Sequence, residues 1–407
     1  MFFTDKKTAA SHLKTATNEI KIDTNKGEVY YKNLYDKCQT NLNKLQAKER
    51  FAEEDFYDRL EEEGIQRRDF LKWVSATTAA LMLPGSFEPL VAQTIEVINR
   101  TPVIWANFQD CAGNSEAFLR TDGPTIDELI LDIISLEFHE LLMTPSGEAA
   151  EAQLADAMAT FKGEYLLFVE GSIPTLDNGV YGTIGSSGET YMDHITRLAQ
   201  DCAAVVAVGS CATFGGVPSA APNPTGAKGV MDVISGKNIV NIPACPANPS
   251  NMLGVILLYT MTGELPELDH LLRPKFAFGT RIHDVCERRV HFDAGEFVEE
   301  WGDANAQDGH CLYKMGCKGP FTFNNCPTVQ YNRETSWPVA AGHGCIGCSE
   351  PGFIDKFGSF EKPFVYNPSY NPASDISPVV NIATVGIGMM TIKNLFNFTS
   401  KTSKGEE

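Results

Sequence analysis

Four short apolar runs punctuate the middle of the chain: Pro102-Val103-Ile104-Trp105, Tyr165-Leu166-Leu167-Phe168-Val169, Ala204-Val205-Val206-Ala207-Val208 and Ile239-Val240-Asn241-Ile242. Each is bounded by Gly, Pro or polar residues, as strands buried on both faces of a parallel sheet require. Helix-like stretches separate them. The clearest runs from Thr125 to Met143, where Thr125 and Glu128 form a capping box ahead of Ile126, Leu129, Ile130, Ile133, Ile134, Phe138, Leu141 and Leu142 at helical spacing. Strand and helix in alternation predict an α/β fold built on a doubly wound parallel sheet.

Cysteines stand just beyond three of these strands: Cys111 after the first, Cys211 in Gly209-Ser210-Cys211, and Cys245 in Pro243-Ala244-Cys245-Pro246. The carboxyl ends of strands line the crevice of an open parallel sheet, so three thiols distant in sequence are placed to converge on one ligand. Convergent thiols suit a soft metal. Taken singly, each is as readily a small buried hydrophobe.

After residue 275 the periodicity fades and soft ligands crowd among Gly and Pro. His283, Cys286, Cys311, Cys317, Cys326, Cys345 and Cys348 fall within fewer than seventy residues. Four and three ligands make one 4Fe-4S and one 3Fe-4S site, whereas two structural zinc sites want eight. A zinc-stabilised or disulfide-stapled lobe is the alternative. Cys38 and Cys202, outside both groups, are read as non-ligands.

Thirty-three Lys and Arg against 52 Asp and Glu give a net charge of -19, which disfavours a large nucleic-acid footprint. With 43% hydrophobic and 21% charged residues the chain is globular, and 407 residues suggest two domains. Residues 1–66 are polar and mixed in charge and read as a mobile or weakly helical tail. Gln66-Arg67-Arg68-Asp69-Phe70-Leu71-Lys72, an apolar stretch to Leu83 and a small-residue exit at Val91-Ala92 have the layout of a signal peptide. The arginine pair followed by Phe-Leu-Lys resembles a twin-arginine export signal, with a short amphipathic helix as the plainer reading. Ile376 to Ile392 carries no charge over seventeen residues, at the short limit for a spanning helix, and is either a membrane helix or an amphipathic helix docked on a partner. The expected organisation is 1–92 extension and signal, 93–275 sheet domain, 276–372 cluster domain and 373–407 tail.

Longer words identify a family. Ile282-His283-Asp284 with Cys286, Arg288-Arg289 and His291-Phe292-Asp293-Ala294-Gly295 comes first, then Cys311-Leu312-Tyr313-Lys314 and Gly316-Cys317-Lys318-Gly319-Pro320. Asn325-Cys326-Pro327-Thr328-Val329, Ser336-Trp337-Pro338-Val339 and Gly342-His343-Gly344-Cys345-Ile346-Gly347-Cys348-Ser349-Glu350-Pro351 follow. From about Val103 to Pro351 the chain resembles the small, electron-transferring subunit of nickel-iron hydrogenases, most closely the exported uptake type.

The resemblance implies a flavodoxin-like domain holding a proximal cluster, followed by an irregular iron-sulfur domain. It places the distal 4Fe-4S cluster on His283, Cys286, Cys311 and Cys317 and the medial 3Fe-4S cluster on Cys326, Cys345 and Cys348, with Pro338 where a fourth thiolate is absent. No catalytic residue is expected in this chain, because hydrogen is split at a nickel-iron centre in a large subunit, its obligate partner. A cytochrome b or quinone-linked membrane subunit is the family's usual acceptor, on the periplasmic side of the cytoplasmic membrane. The departure is proximal: the family has Cys-x-x-Cys, but this chain reads Cys111-Ala112-Gly113-Asn114. Cys111, Cys211 and Cys245 then hold a 3Fe-4S cluster, or a 4Fe-4S cluster completed by Asn114, solvent or another neighbour. Oxygen-tolerant members carry extra cysteines where this chain has Gly113 and Gly216. Glu116 and Glu170 match acidic positions, read first as capping or loop hydrogen bonds. A hydrogen-sensing subunit, against which the export signal argues, and a non-redox metal scaffold are the alternatives.

Overall fold

The apolar runs form the strands expected of them. The computed structural model describes residues 24–48, 67–97, 101–121, 134–331 and 335–363. β1 (Thr101–Asn107), β2 (Ile134–His139), β3 (Leu166–Glu170), β4 (Ala204–Val208) and β5 (Ile239–Ile242) make one parallel sheet in the order β2-β1-β3-β4-β5. That order reverses between β1 and β3, which opens a crevice at the carboxyl ends of these strands.

β2 corrects one expectation. Residues 134–139, read as the second half of a helix, are an edge strand, and residues 140–142 form a turn. Ile134, Leu136 and Phe138 alternate with polar residues, and a four-residue separation such as Ile134 to Phe138 satisfies both strand and helix periods. Residues 125–133, with the capping box, lie outside the described residues.

One face of the sheet carries Ile104, Ala106, Leu167, Val169, Val205 and Ala207 against α5 (Glu148–Thr160) and α6 (Tyr191–Gln200). On the other, Trp105 is fully buried, stacked on Phe168 and tilted against Phe118 of α4 (Gly113–Leu119). α8 (Pro249–Thr262) also packs there; it is apolar nearly all round, as a helix enclosed on several sides must be.

α8 is covered in part by residues expected to be leader. α2 (Arg67–Ala80) and α3 (Glu88–Val97) pack on it, burying Phe70, Val74, Leu81, Leu90 and Val91. The tail also holds more helix than its composition suggested, since α1 spans Thr24–Lys48. By contact the chain divides into two units, 1–37 with 367–407, and 38–366. The described part of the first, residues 24–37, is helical. In the second, Cys38 and Leu42 are buried and the Asn41 amide donates to the carbonyls of Thr260 and Met261 at the end of α8.

Beyond residue 275 the chain folds as short helical turns around a small core of Ile282, Val298, Leu312, Trp337 and Val339. This lobe interlocks with the sheet lobe. Arg273, almost fully buried, pairs with Asp269 at 2.8 Å and with Glu350 at 3.1 Å, and donates to the Ser349 carbonyl at 3.2 Å. Asn251 and Asn325 exchange amide hydrogen bonds at 2.9 Å. Among the described residues no helix is long and apolar enough to cross a membrane, and 376–392 lies outside them.

Candidate metal centres

All eleven cysteines are free. Cys111, Cys211 and Cys245 arrive at the crevice from different strand ends. After β1 the chain bridges to the segment beyond β3, Gln109 and Ser172 exchanging backbone hydrogen bonds at 3.1 Å, then turns through Ala112 at φ 58° into α4. Cys211 lies in the short helix α7 (Gly209–Phe214) directly after β4, and the Ser210 amide donates to the Ala244 carbonyl at 2.8 Å, drawing the Cys245 loop alongside. Burial, then the nearby Cys245 and Cys111, push the Cys211 thiol up to about 11. Cys245 is raised by burial and then by Cys111. Cys111 and Cys245 are solvent-exposed, so this group opens on the surface of the chain.

Two glycines keep space beside these thiols. A Cβ on Gly113 would stand 3.1 Å from the Cys111 sulfur, and one on Gly216, at φ +56°, would lie 2.6 Å from the Cys211 sulfur. The donor set of three soft sulfurs with space beside two of them fits an iron-sulfur centre.

Asn114 stands beside this group but is otherwise engaged. Its amide nitrogen donates to Glu170 at 3.1 Å and its amide oxygen accepts from the Ala247 backbone at 2.8 Å. Gly209 presses on the same side chain, since a Cβ there would meet the amide nitrogen at 2.4 Å. Glu170, fully buried at the end of β3, accepts from the Asn114 and Ser115 backbone amides at 2.7 and 3.0 Å. It also accepts from Trp105 Nε1 at 3.3 Å, Asn107 at 3.2 Å and the Ser115 hydroxyl. It therefore ties the first turn of α4 to the sheet, the hydrogen-bonding role expected of it. Glu116 is exposed and pairs with Arg120 at 2.6 Å along α4.

His283, Cys286, Cys311 and Cys317 line one cavity together with Arg288, Arg289 and Gly319. Burial first, then Arg289, hold the imidazole of His283 down to about 4, so it is neutral at physiological pH. Its Nε2 is buried without a hydrogen-bond partner. Burial raises the thiols of Cys286 to about 11 and Cys311 to about 12. Neutral imidazole and crowded buried thiols are an unsatisfied donor set, completed when a metal displaces the thiol protons. This group fits a soft-metal centre.

Cys326, Cys345 and Cys348 form a third, deeper group. Burial lifts Cys326 and Cys348 to about 12 and drives Cys345 well above the ordinary thiol value, with one another as secondary causes. Its two ends meet the other groups. The Cys345 amide donates to the Cys317 sulfur at 3.3 Å, while the Cys348 sulfur takes a backbone hydrogen bond from Cys245, and the Ser210 hydroxyl donates to the Cys348 carbonyl. Cys202 packs against the main core instead, and Cys38 is buried in α1, as expected of non-ligands.

Sequence reasoning missed the residues that support these groups. Lys318, almost fully buried, donates through Nζ to the carbonyls of Gly316, Phe360 and Lys362 beside Cys317 and Cys345. Burial lowers its affinity for the proton, and the two thiols raise it. The Cys345 sulfur lies 3.7 Å from the Thr322 hydroxyl. Lys318 stood within a recognised word, but nothing in the sequence showed its side chain turned inward.

Residues 278–361 match the family described as the C-terminal part of the NiFe/NiFeSe hydrogenase small subunit, and residues 111–259 match NADH ubiquinone oxidoreductase, 20 Kd subunit. The chain is 52% identical over 316 residues to the quinone-reactive Ni/Fe-hydrogenase small chain of Wolinella succinogenes, covering 78% of this chain and 89% of that one. It is 45% identical to the uptake hydrogenase small subunit of Azotobacter vinelandii over 82% of this chain and 93% of that one. Among solved structures, the reduced, active Ni-Fe-Se hydrogenase of Desulfomicrobium baculatum aligns with a TM-score of 0.62 and 36% identity, over 65% of this chain and 100% of that chain.

Proposed function

The chain belongs to the small-subunit family of nickel-iron hydrogenases, and from that premise we propose that its three ligand groups form one electron path leading away from a large subunit. The observation that carries this reading is the physical order of the groups. Cys245 touches Cys348 and Cys345 touches Cys317, so the Cys326, Cys345 and Cys348 group lies between the other two.

Iron-sulfur clusters, when bound, supply one-electron carriers at these three places. The chain's own residues fix where they sit and how readily each takes an electron. Cys111, Cys211 and Cys245 hold the proximal cluster, Cys326, Cys345 and Cys348 a medial 3Fe-4S cluster, and His283, Cys286, Cys311 and Cys317 a distal 4Fe-4S cluster. The neutral imidazole of His283 in place of a thiolate removes one negative charge, which favours the reduced distal site. Arg288 and Arg289 at the same cavity act in the same sense. Lys318 puts a buried positive charge between the medial and distal groups.

At the proximal group Asn114 is a positioning residue rather than a ligand. Its oxygen already accepts from Ala247, and an amide oxygen is a poor donor to iron in a sulfur site. The proximal cluster is therefore of the three-iron kind. Its exposed thiols mark the face covered by the large subunit. The relatives named for quinone reactivity and for uptake support a membrane acceptor and hydrogen oxidation on the periplasmic side, reached through the Arg67-Arg68 export signal.

The test is cluster analysis of the co-purified heterodimer by iron and sulfide content with electron paramagnetic resonance. Ten irons in this chain are expected; zinc at the Cys326 group would refute the relay.

A further inference from the structure

We propose a second kind of metal site in this chain, a divalent first-row transition-ion site built from His291, Glu296 and His310. It belongs to none of the three cluster groups and stands independently of the relay.

One ligand atom from each of the three residues lies within 4.8 Å of the other two. His291 Nδ1 stands 2.6 Å from Glu296 Oε2, and the two imidazoles stack with centroids 4.8 Å apart at 28°. A second observation is independent of these distances: Nδ1 of His310 is buried and has no hydrogen-bond partner. A buried ring nitrogen without a partner costs free energy that a metal ion removes.

The backbone holds the three residues in place before any ion arrives. The Glu296 amide donates to the His291 carbonyl at 2.8 Å, and the Cys311 amide donates to the Glu296 carbonyl at 3.1 Å. The His310 carbonyl in turn accepts from Arg288 at 2.8 Å. Only side-chain adjustment remains. In a tetrahedral zinc site with bonds of about 2.0–2.1 Å, neighbouring donors stand about 3.4 Å apart, so donors as far apart as 4.8 Å must close by about 1.4 Å.

Two imidazoles and one carboxylate select zinc-like ions over calcium or magnesium, which prefer oxygen alone. Three protein ligands on a half-exposed surface leave the fourth position to water. The ion would tie residue 291 to residue 310, and the net charge of -19 favours cation approach.

The test titrates Zn2+ into the chelator-washed, cluster-loaded heterodimer against a competing chromophoric chelator, beside His310→Phe and Glu296→Gln. Wild type should bind one more zinc than either variant, or bind it at least about 100-fold more tightly. Unchanged cluster spectra in the variants show that they are folded. Co2+ in the wild type should give the visible bands of a four-coordinate nitrogen-oxygen site, a readout that needs no variant. Equal zinc uptake by wild type and both variants, or only six-coordinate cobalt bands, would overturn the proposal.

Discussion

The backbone amide of Cys345 donates to the sulfur of Cys317 at 3.3 Å, joining a residue of the deep three-cysteine group to one lining the His283 cavity. Neighbouring centres in direct contact cannot be tuned separately, because a hydrogen bond to a ligand sulfur shifts the potential of the cluster it holds. Cys317→Ser is expected to abolish the distal cluster and alter the medial spectrum as well. A medial signal identical to wild type would show that the contact carries no electronic influence.

Asn114 gives the sharpest test of the proximal site. Asn114→Cys restores a fourth thiolate but removes the hydrogen bonds to Glu170 and Ala247, at a cost of about 2 kcal/mol. Spin counting should fall by one three-iron cluster per heterodimer, with iron content rising by one.

Glu170 and Glu116 should part company under the same substitution. Glu170→Gln puts an amide among backbone, Trp105, Asn107 and Ser115 donors that all need an acceptor, and should cost at least about 3 kcal/mol. Glu116→Gln breaks only an exposed helix pair and should change the thermal midpoint by less than a degree or two, roughly 0.3–0.5 kcal/mol.

Arg273 joins the sheet lobe to the cluster lobe. Replacing it with Met leaves Glu350 and Asp269 without their cation, the former nearly buried, and should destabilise by about 3–5 kcal/mol in thermal unfolding of the heterodimer. A loss under 1 kcal/mol would mean that the pair is replaceable.

One source of acid sensitivity outside the three cysteine groups lies at Glu189. The Arg197 guanidinium, with His194, holds Glu189 down to about 2, below its ordinary value near 4.5. A carboxylate depressed on folding adds stability above its unfolded value and loses it as pH falls through the folded one. Glu189→Gln should therefore weaken the fold at pH 7 by about 1 kcal/mol after solvent screening, and flatten the stability profile between about pH 4.5 and 2.

The strands were legible because Leu166–Val169 and Ala204–Val208 are unbroken apolar runs, which a doubly covered sheet demands. β2 was not, since an edge strand need bury only one side and its alternation shares the four-residue step with a helix. The seven soft side chains from His283 to Cys348 were legible as residue types crowded in sequence, and the structure gathers His283, Cys286, Cys311 and Cys317 around one cavity. What Asn114 does was illegible, because its partners Glu170 and Ala247 are 56 and 133 residues away. The apolar residues of 67–92 read as a leader on the layout of arginine pair, apolar stretch and small-residue exit, and that layout says nothing of α8, which they cover in part.

Spin-quantified electron paramagnetic resonance on the oxidised, co-purified heterodimer tests the relay most directly. The near-isotropic signal of oxidised 3Fe-4S clusters should integrate to two spins per heterodimer, one from the Cys326, Cys345 and Cys348 group and one from the proximal group that lacks a fourth thiolate. A single spin would contradict the three-iron proximal site, and no such spin would contradict the relay itself.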